Sequence, residues 1–153
     1  MKNKANKGFT LIEILVVMGI IAVLAAVVLV AINPARQFAQ ARNSQRTSNV
    51  NTILNAVGQD MADNRGIFGG VCGAILPIPT ASSSILTGAG TGIDLSCLAP
   101  TYVPAIPADP TAVSGTDTGY DISVSGIGRV MVCAPAAGTE TALPGSAAIC
   151  VTR

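Results

Sequence analysis

The sequence of 153 residues has no histidine and no tryptophan, only three phenylalanines and two tyrosines, and just 11% charged residues. Each shortage excludes something. Without histidine, a zinc site lacks half its usual ligands, and the commonest general base is absent. The serines and cysteines stand beside no plausible base, so no enzymatic role and no cofactor are expected. Sparse aromatics leave no stacking platform for single-stranded nucleic acid. The four cysteines, Cys72, Cys97, Cys133 and Cys150, contain no CxxC pair. None follows the apolar N-terminal run closely, which argues against a lipoprotein signal.

What is present is concentrated near the start. From Phe9 to Ile32 the chain is apolar with one charge, Glu13. A helix of this length runs ~36 Å, against a hydrocarbon core of ~30 Å. An acidic side chain costs roughly 2.5–3.5 kcal/mol at a membrane centre and less near the ends. Glu13 therefore needs a partner, and no basic residue lies between Phe9 and Asn33. The partner must be a chain terminus, another subunit or water. Lys2, Lys4 and Lys7 precede the run, a positive flank that reads as cytoplasmic. The rest of the chain then faces outward. Residues 1–8 are too short, and the natural break comes too early, for an ordinary secretory signal.

An even cysteine count in an outward-facing domain favours disulfides. Three connectivities are possible. Sequence neighbours, Cys72–Cys97 and Cys133–Cys150, close the shortest loops, each contributing ~3 kcal/mol.

Past the apolar run, Pro34 is expected to interrupt or kink the helix. If the helix continues, Phe9–Asn64 makes one rod of ~84 Å. Val50, Ile53, Leu54, Val57 and Met61 form one apolar stripe. Gly66 is the expected C′ residue. Residues 66–118 read as a long connection in which Ser82–Ser84 look like a flexible loop. Tyr120–Ser125, Arg129–Ala134 and Ala147–Thr152 read as antiparallel strands around a Gly126-Ile127-Gly128 reversal. The expected fold is α+β: a long N-terminal helix, half apolar and half amphipathic, packed on a small C-terminal antiparallel sheet. Its segments are a basic N-terminal stretch at 1–8, a membrane-length helix at 9–32, an amphipathic helix at 33–65, a connection at 66–118 and the sheet at 119–153.

The run KGFTLIEILVVMGIIAVLAAV resembles the N-terminus of type IV pilins and pseudopilins: a basic leader, a glycine, then Phe-Thr-Leu-Ile-Glu and an apolar helix. The likeness is dense over residues 7–28 and fades past Arg46. It implies that residues 1–8 are a leader and residues 9–32 a transmembrane or fibre-core helix. It implies cleavage after Gly8 by a prepilin peptidase and N-methylation of Phe9. It implies that Glu13 pairs with the terminal amine of Phe9 in a neighbouring subunit. It also implies a self-polymer, alone or with minor pilins, built on an inner-membrane assembly platform. The precursor would sit in the cytoplasmic membrane, and the product would be an extracellular pilus or a periplasmic pseudopilus. The segment 104–120 looks like the Asp-Pro…Gly-Tyr connection before the last strands of such proteins. Many relatives carry a proline inside the apolar helix; here the first is Pro34.

Smaller signals have plainer readings beside them. Asp109, Asp117 and Asp121 are candidate calcium ligands, against solvated turns with Asp caps. Arg36, Arg42 and Arg46 are candidates for lipid head groups, acidic neighbours or DNA, against an exposed face making contacts between subunits. The reading is thus a fibre subunit serving adhesion, motility or DNA uptake. The alternatives are a pseudopilin of a type II secretion system and a monomeric, signal-anchored binding protein.

Overall fold

The computed structural model describes residues 8–69, 77–111 and 113–153. The chain divides into two compact units, residues 1–37 and 38–153.

The first unit is dominated by α1, Leu11–Ala31. Its leucines, isoleucines, valines and alanines surround the axis without a polar face, and none of its residues is buried. β-Branched residues are mediocre helix formers in water. In lipid the backbone must satisfy its own hydrogen bonds, so the same run is held helical. Helical geometry ends at Ile32, whose backbone is extended (φ −93°, ψ 117°). Asn33 then caps a new helix, its side-chain oxygen accepting from the Arg36 amide at 3.2 Å. Pro34 is the first residue of that helix, α2, which spans Pro34–Asp63. One continuous rod from Phe9 to Asn64 is therefore not what forms. A residue before proline is disfavoured in α geometry, and Asn is a strong cap, so the sequence stops one helix and starts another.

In the second unit, α2 buries Val50, Ile53, Leu54, Ala56 and Val57, with Met61 partly buried beside them. The apolar stripe is the face that the periodicity indicates. The C-terminus differs by one residue. The Gly66 amide reaches back to the Met61 carbonyl at 2.7 Å, the long bond of a Schellman motif. That makes Arg65 the C′ residue, with φ 58°, and Gly66 the next, with φ 84°. Two consecutive left-handed residues are needed, and the glycine takes the more extreme one.

Among the described residues the sheet has five strands, in the order β2-β1-β3-β4-β5. They are β1 (Ser83–Leu86), β2 (Ile93–Asp94), β3 (Asp117–Val124), β4 (Val130–Ala134) and β5 (Ile149–Thr152). β3, β4 and β5 form the expected antiparallel succession, with Cys133 opposite Cys150. The reversal between β3 and β4 closes with Ser125 N donating to Arg129 O at 2.8 Å and Gly128 at φ 79°.

The other edge corrects the sequence reading. Ser82–Ser84 lead into β1 rather than lying in a flexible loop. Asp121 on β3 accepts from Ser82 Oγ at 3.1 Å and from Ser84 Oγ at 3.5 Å, while Ile85 and Leu86 turn into the core. β2 pairs parallel to β1, so the sheet is mixed. Gly92 permits this close return: a Cβ there would lie 2.4 Å from the Ser84 carbonyl oxygen.

The core fills the space between α2 and one sheet face. Ile85, Tyr120, Ile122, Val130, Val132 and Ala134 meet the helix stripe, and Leu95, Leu98 and Val103 close its side. Tyr120 is fully buried, and its hydroxyl accepts from Asn49 Nδ2 at 2.9 Å. Cys133 and Cys150 form a disulfide between β4 and β5. The expected Cys72–Cys97 pair lies outside the described residues, because Cys72 does.

Ile53 is fully buried at the middle of the helix stripe. Ile53→Ala is expected to cost about 2–5 kcal/mol, measured by chemical denaturation of the full chain in detergent micelles.

Candidate functional site

The first site lies where the polar N-terminus meets α1. Gly8 is exposed, and nothing stands within 4 Å of where a Cβ would be. Phe9 is 86% exposed. Thr10 is the N-cap of α1, with extended backbone. Its amide and hydroxyl both donate to Glu13 Oε2, at 2.8 and 2.7 Å. The Glu13 amide donates back to Thr10 Oγ1 at 3.3 Å, completing a capping box. The box satisfies two helix-end donors and places a carboxylate at the positive end of the helix dipole. Among the described residues, Glu13 has hydrogen bonds and no cation beside it. Its positive partner has to be supplied from outside these contacts.

Beyond the box, α1 is a surface without a cover. Leu11, Leu15, Val23, Val27 and Leu29 are each more than 60% exposed, and they point to different sides of the helix. The helix is long and apolar enough to cross a membrane.

Residues 3–29 match the prokaryotic N-terminal methylation motif. This is the prepilin-type signal of type IV pilins and pseudopilins. The motif covers Gly8, Phe9, the capping box and nearly all of α1; its residues 3–7 lie outside the described ones. It supports a pilin-like or pseudopilin precursor, and with it processing by a prepilin peptidase and assembly into pilus-type fibres. Such proteins are structural rather than enzymatic. Together with the apolar helix, the motif fits membrane anchoring of a precursor. Comparison with curated proteins and with solved structures gives no match, so the domain beyond residue 29 stands on its own geometry.

The second constellation was legible only in part. Arg46, expected on an exposed helix face, has a fully buried side chain. Its guanidinium grips Asp109 with two bonds, at 2.6 and 3.1 Å. It also donates to Glu140 at 2.5 Å, to Thr111 Oγ1 at 2.7 Å and to Asn43 Oδ1 at 2.8 Å. Arg42 forks onto the same Glu140, at 2.8 and 2.5 Å. Two of the three candidate arginines thus serve this domain internally, and Arg46 offers nothing to DNA or lipid. Arg36 alone of the three is exposed. The candidate calcium aspartates are not brought together. Asp109 belongs to Arg46, Asp117 accepts from the Gly119 amide at 2.8 Å, and Asp121 takes the two serine hydroxyls. Among the described residues no group of three metal-binding side chains occurs.

Glu140 was not singled out from sequence, because an isolated glutamate in a loop carries no periodic signal. Arg46 had one. It stands four residues before Val50, on the extension of the buried stripe. The arginines, Arg42 foremost and then Arg46, hold the Glu140 carboxyl at about 2, well below its ordinary 4.5. Because the folded state lowers this pKa, the stabilisation is complete above the ordinary value. It is lost as pH falls from about 4.5 toward about 2.

Two outcomes follow for the full chain in detergent. Arg46→Met takes the guanidinium from the buried Asp109 carboxylate, while Glu140 keeps Arg42, and is expected to cost about 3–5 kcal/mol in denaturant unfolding. In Glu140→Gln, the part of the stability–pH profile between pH about 4.5 and about 2 becomes flatter than in the parent.

Proposed function

We propose that this chain is the precursor of a structural subunit of a type IV pilus-like fibre. The observation that carries the reading is the methylation motif on a helix with no buried residue. A prepilin peptidase cuts between Gly8 and Phe9, and the new amine of Phe9 is methylated. The subunit waits in the cytoplasmic membrane with residues 38–153 outside. An inner-membrane assembly platform then draws it into a polymer built through residues 9–32.

Glu13 has a defined task in this scheme. Its two bonds from Thr10 keep the carboxylate satisfied but leave its charge unmatched. The terminal amine of Phe9 in a neighbouring copy supplies that charge and sets the register between subunits. In a dry fibre core such a pair is costly to break one-sidedly. The apolar surface of α1, rich in alanine and valine, suits helix packing in lipid and in fibre alike. The fibre serves adhesion, motility or DNA uptake. A periplasmic pseudopilus that drives secretion uses the same chemistry.

The test is the intact mass of the protein in fibres sheared from cells, beside the same measurement on membranes. A chain beginning at methylated Phe9 in sheared fibres supports a displayed pilus. The same processed chain confined to the membrane fraction supports a pseudopilin or minor subunit. An unprocessed chain that keeps residues 1–8 refutes the scheme and leaves a signal-anchored binding protein. Glu13→Ala is expected to insert normally and fail to polymerise; normal fibres from that variant would remove Glu13 from its role.

A further inference from the structure

Along α2 the means of attachment to the domain changes abruptly. From Val50 onward the helix is held by aliphatic side chains that belong to the main core. Before Val50, the buried residues of α2 are Ala39 and Arg46 alone, and neither belongs to that core. The turns from Phe38 to Arg46 present Phe38 outward, 66% exposed, and bury no large apolar side chain. Besides the buried methyl of Ala39, what fastens them is polar: Arg42 to Glu140, and Arg46 to Asp109, Glu140 and Thr111.

The acceptors come from two separate connections, Asp109 and Thr111 before β3 and Glu140 after β4. Glu140 sits in the connection between β4 and β5. The Cys133–Cys150 disulfide closes that connection at its base, so the strands stay joined whatever the loop does. Glu140 is the loop's charged attachment to α2, and both arginines converge on it.

We propose that the Arg42–Arg46–Asp109–Glu140 cluster is a latch: it holds residues 38–46 of α2 on the domain independently of the hydrophobic core, and its release frees those turns while the core stays folded. Taking one partner from a buried ion cluster leaves an uncompensated buried charge, so the cluster is stable complete and unstable in part. The latch therefore opens as a step. A freed piece of helix this short, with no apolar face of its own, is marginal in water and loses its backbone protection. In chain order the latch is the first attachment met after α1. A load arriving along the chain from α1 is then taken by the latch before it reaches Val50 and the core.

The test is hydrogen–deuterium exchange of the full chain in detergent micelles, comparing the parent with Glu140→Gln and Arg42→Gln. Release in Glu140→Gln is expected to speed exchange of residues 38–46 by about tenfold or more and leave residues 50–60 at the parent rate. Arg42→Gln removes only one arm of the cluster and is expected to give a smaller rise over the same residues. It also provides the reading if Glu140→Gln does not fold. Unchanged protection of residues 38–46 in the folded variants would overturn the latch. An equal loss across residues 38–60 would overturn it too, since those turns would then be part of one cooperative unit with the core.

Discussion

A 21-residue helix with no buried residue cannot be left in water, and the rest of the chain is arranged around that fact. The hydrophobic effect acts on all sides of α1 at once, so no single docking face resolves it. Lipid covers it completely; a bundle of like helices does so equally. The capping box at Thr10 and Glu13 eases the helix end in either setting, because it satisfies two of the amide donors there. The break at Ile32–Asn33 separates this segment from a domain with its own sheet and its own core. The division into units at residues 37 and 38 expresses the same partition.

How much of this was legible depended on whether the signal was periodic. The apolar run, the stripe from Val50 to Met61 and the alternation Tyr120–Ile122–Val124 are all repeats of a fixed spacing, and each produced the element that it indicates. The hairpin turn was equally plain from its paired glycines. β1 was hidden because its first half is serine, which favours turns, and its second half is only Ile85-Leu86. It becomes a strand because β3 offers both a ladder and the Asp121 carboxylate. β2 is two residues long and has no pattern to read. Long-range pairing of this kind is fixed by the partner and not by the segment itself.

The polar cluster shows the limit more sharply. Arg46, Asp109 and Glu140 come from three distant stretches, and each has an innocuous reading alone: an exposed arginine, a turn aspartate, a loop glutamate. Their burial is evident only when the chain brings them together. A buried arginine with bonds to two carboxylates, a threonine and an asparagine is fully engaged, which is the condition under which such a charge is tolerated at all. The motif that spans Gly8, Phe9 and Glu13 was legible for the opposite reason: it is short and local and needs no fold to be recognised.

The sheet carries one more consequence. Its two margins are β2, with two residues, and β5, with four. A margin of two residues offers almost no row of free amides and carbonyls for a stranger to align with, and the other is short as well. Proteins displayed side by side at high local density run a constant danger of zipping together through such margins. Here, among the described residues, both margins are short, which leaves little for a second domain to pair with. A copy of this domain set beside another can be a neighbour without becoming a strand partner.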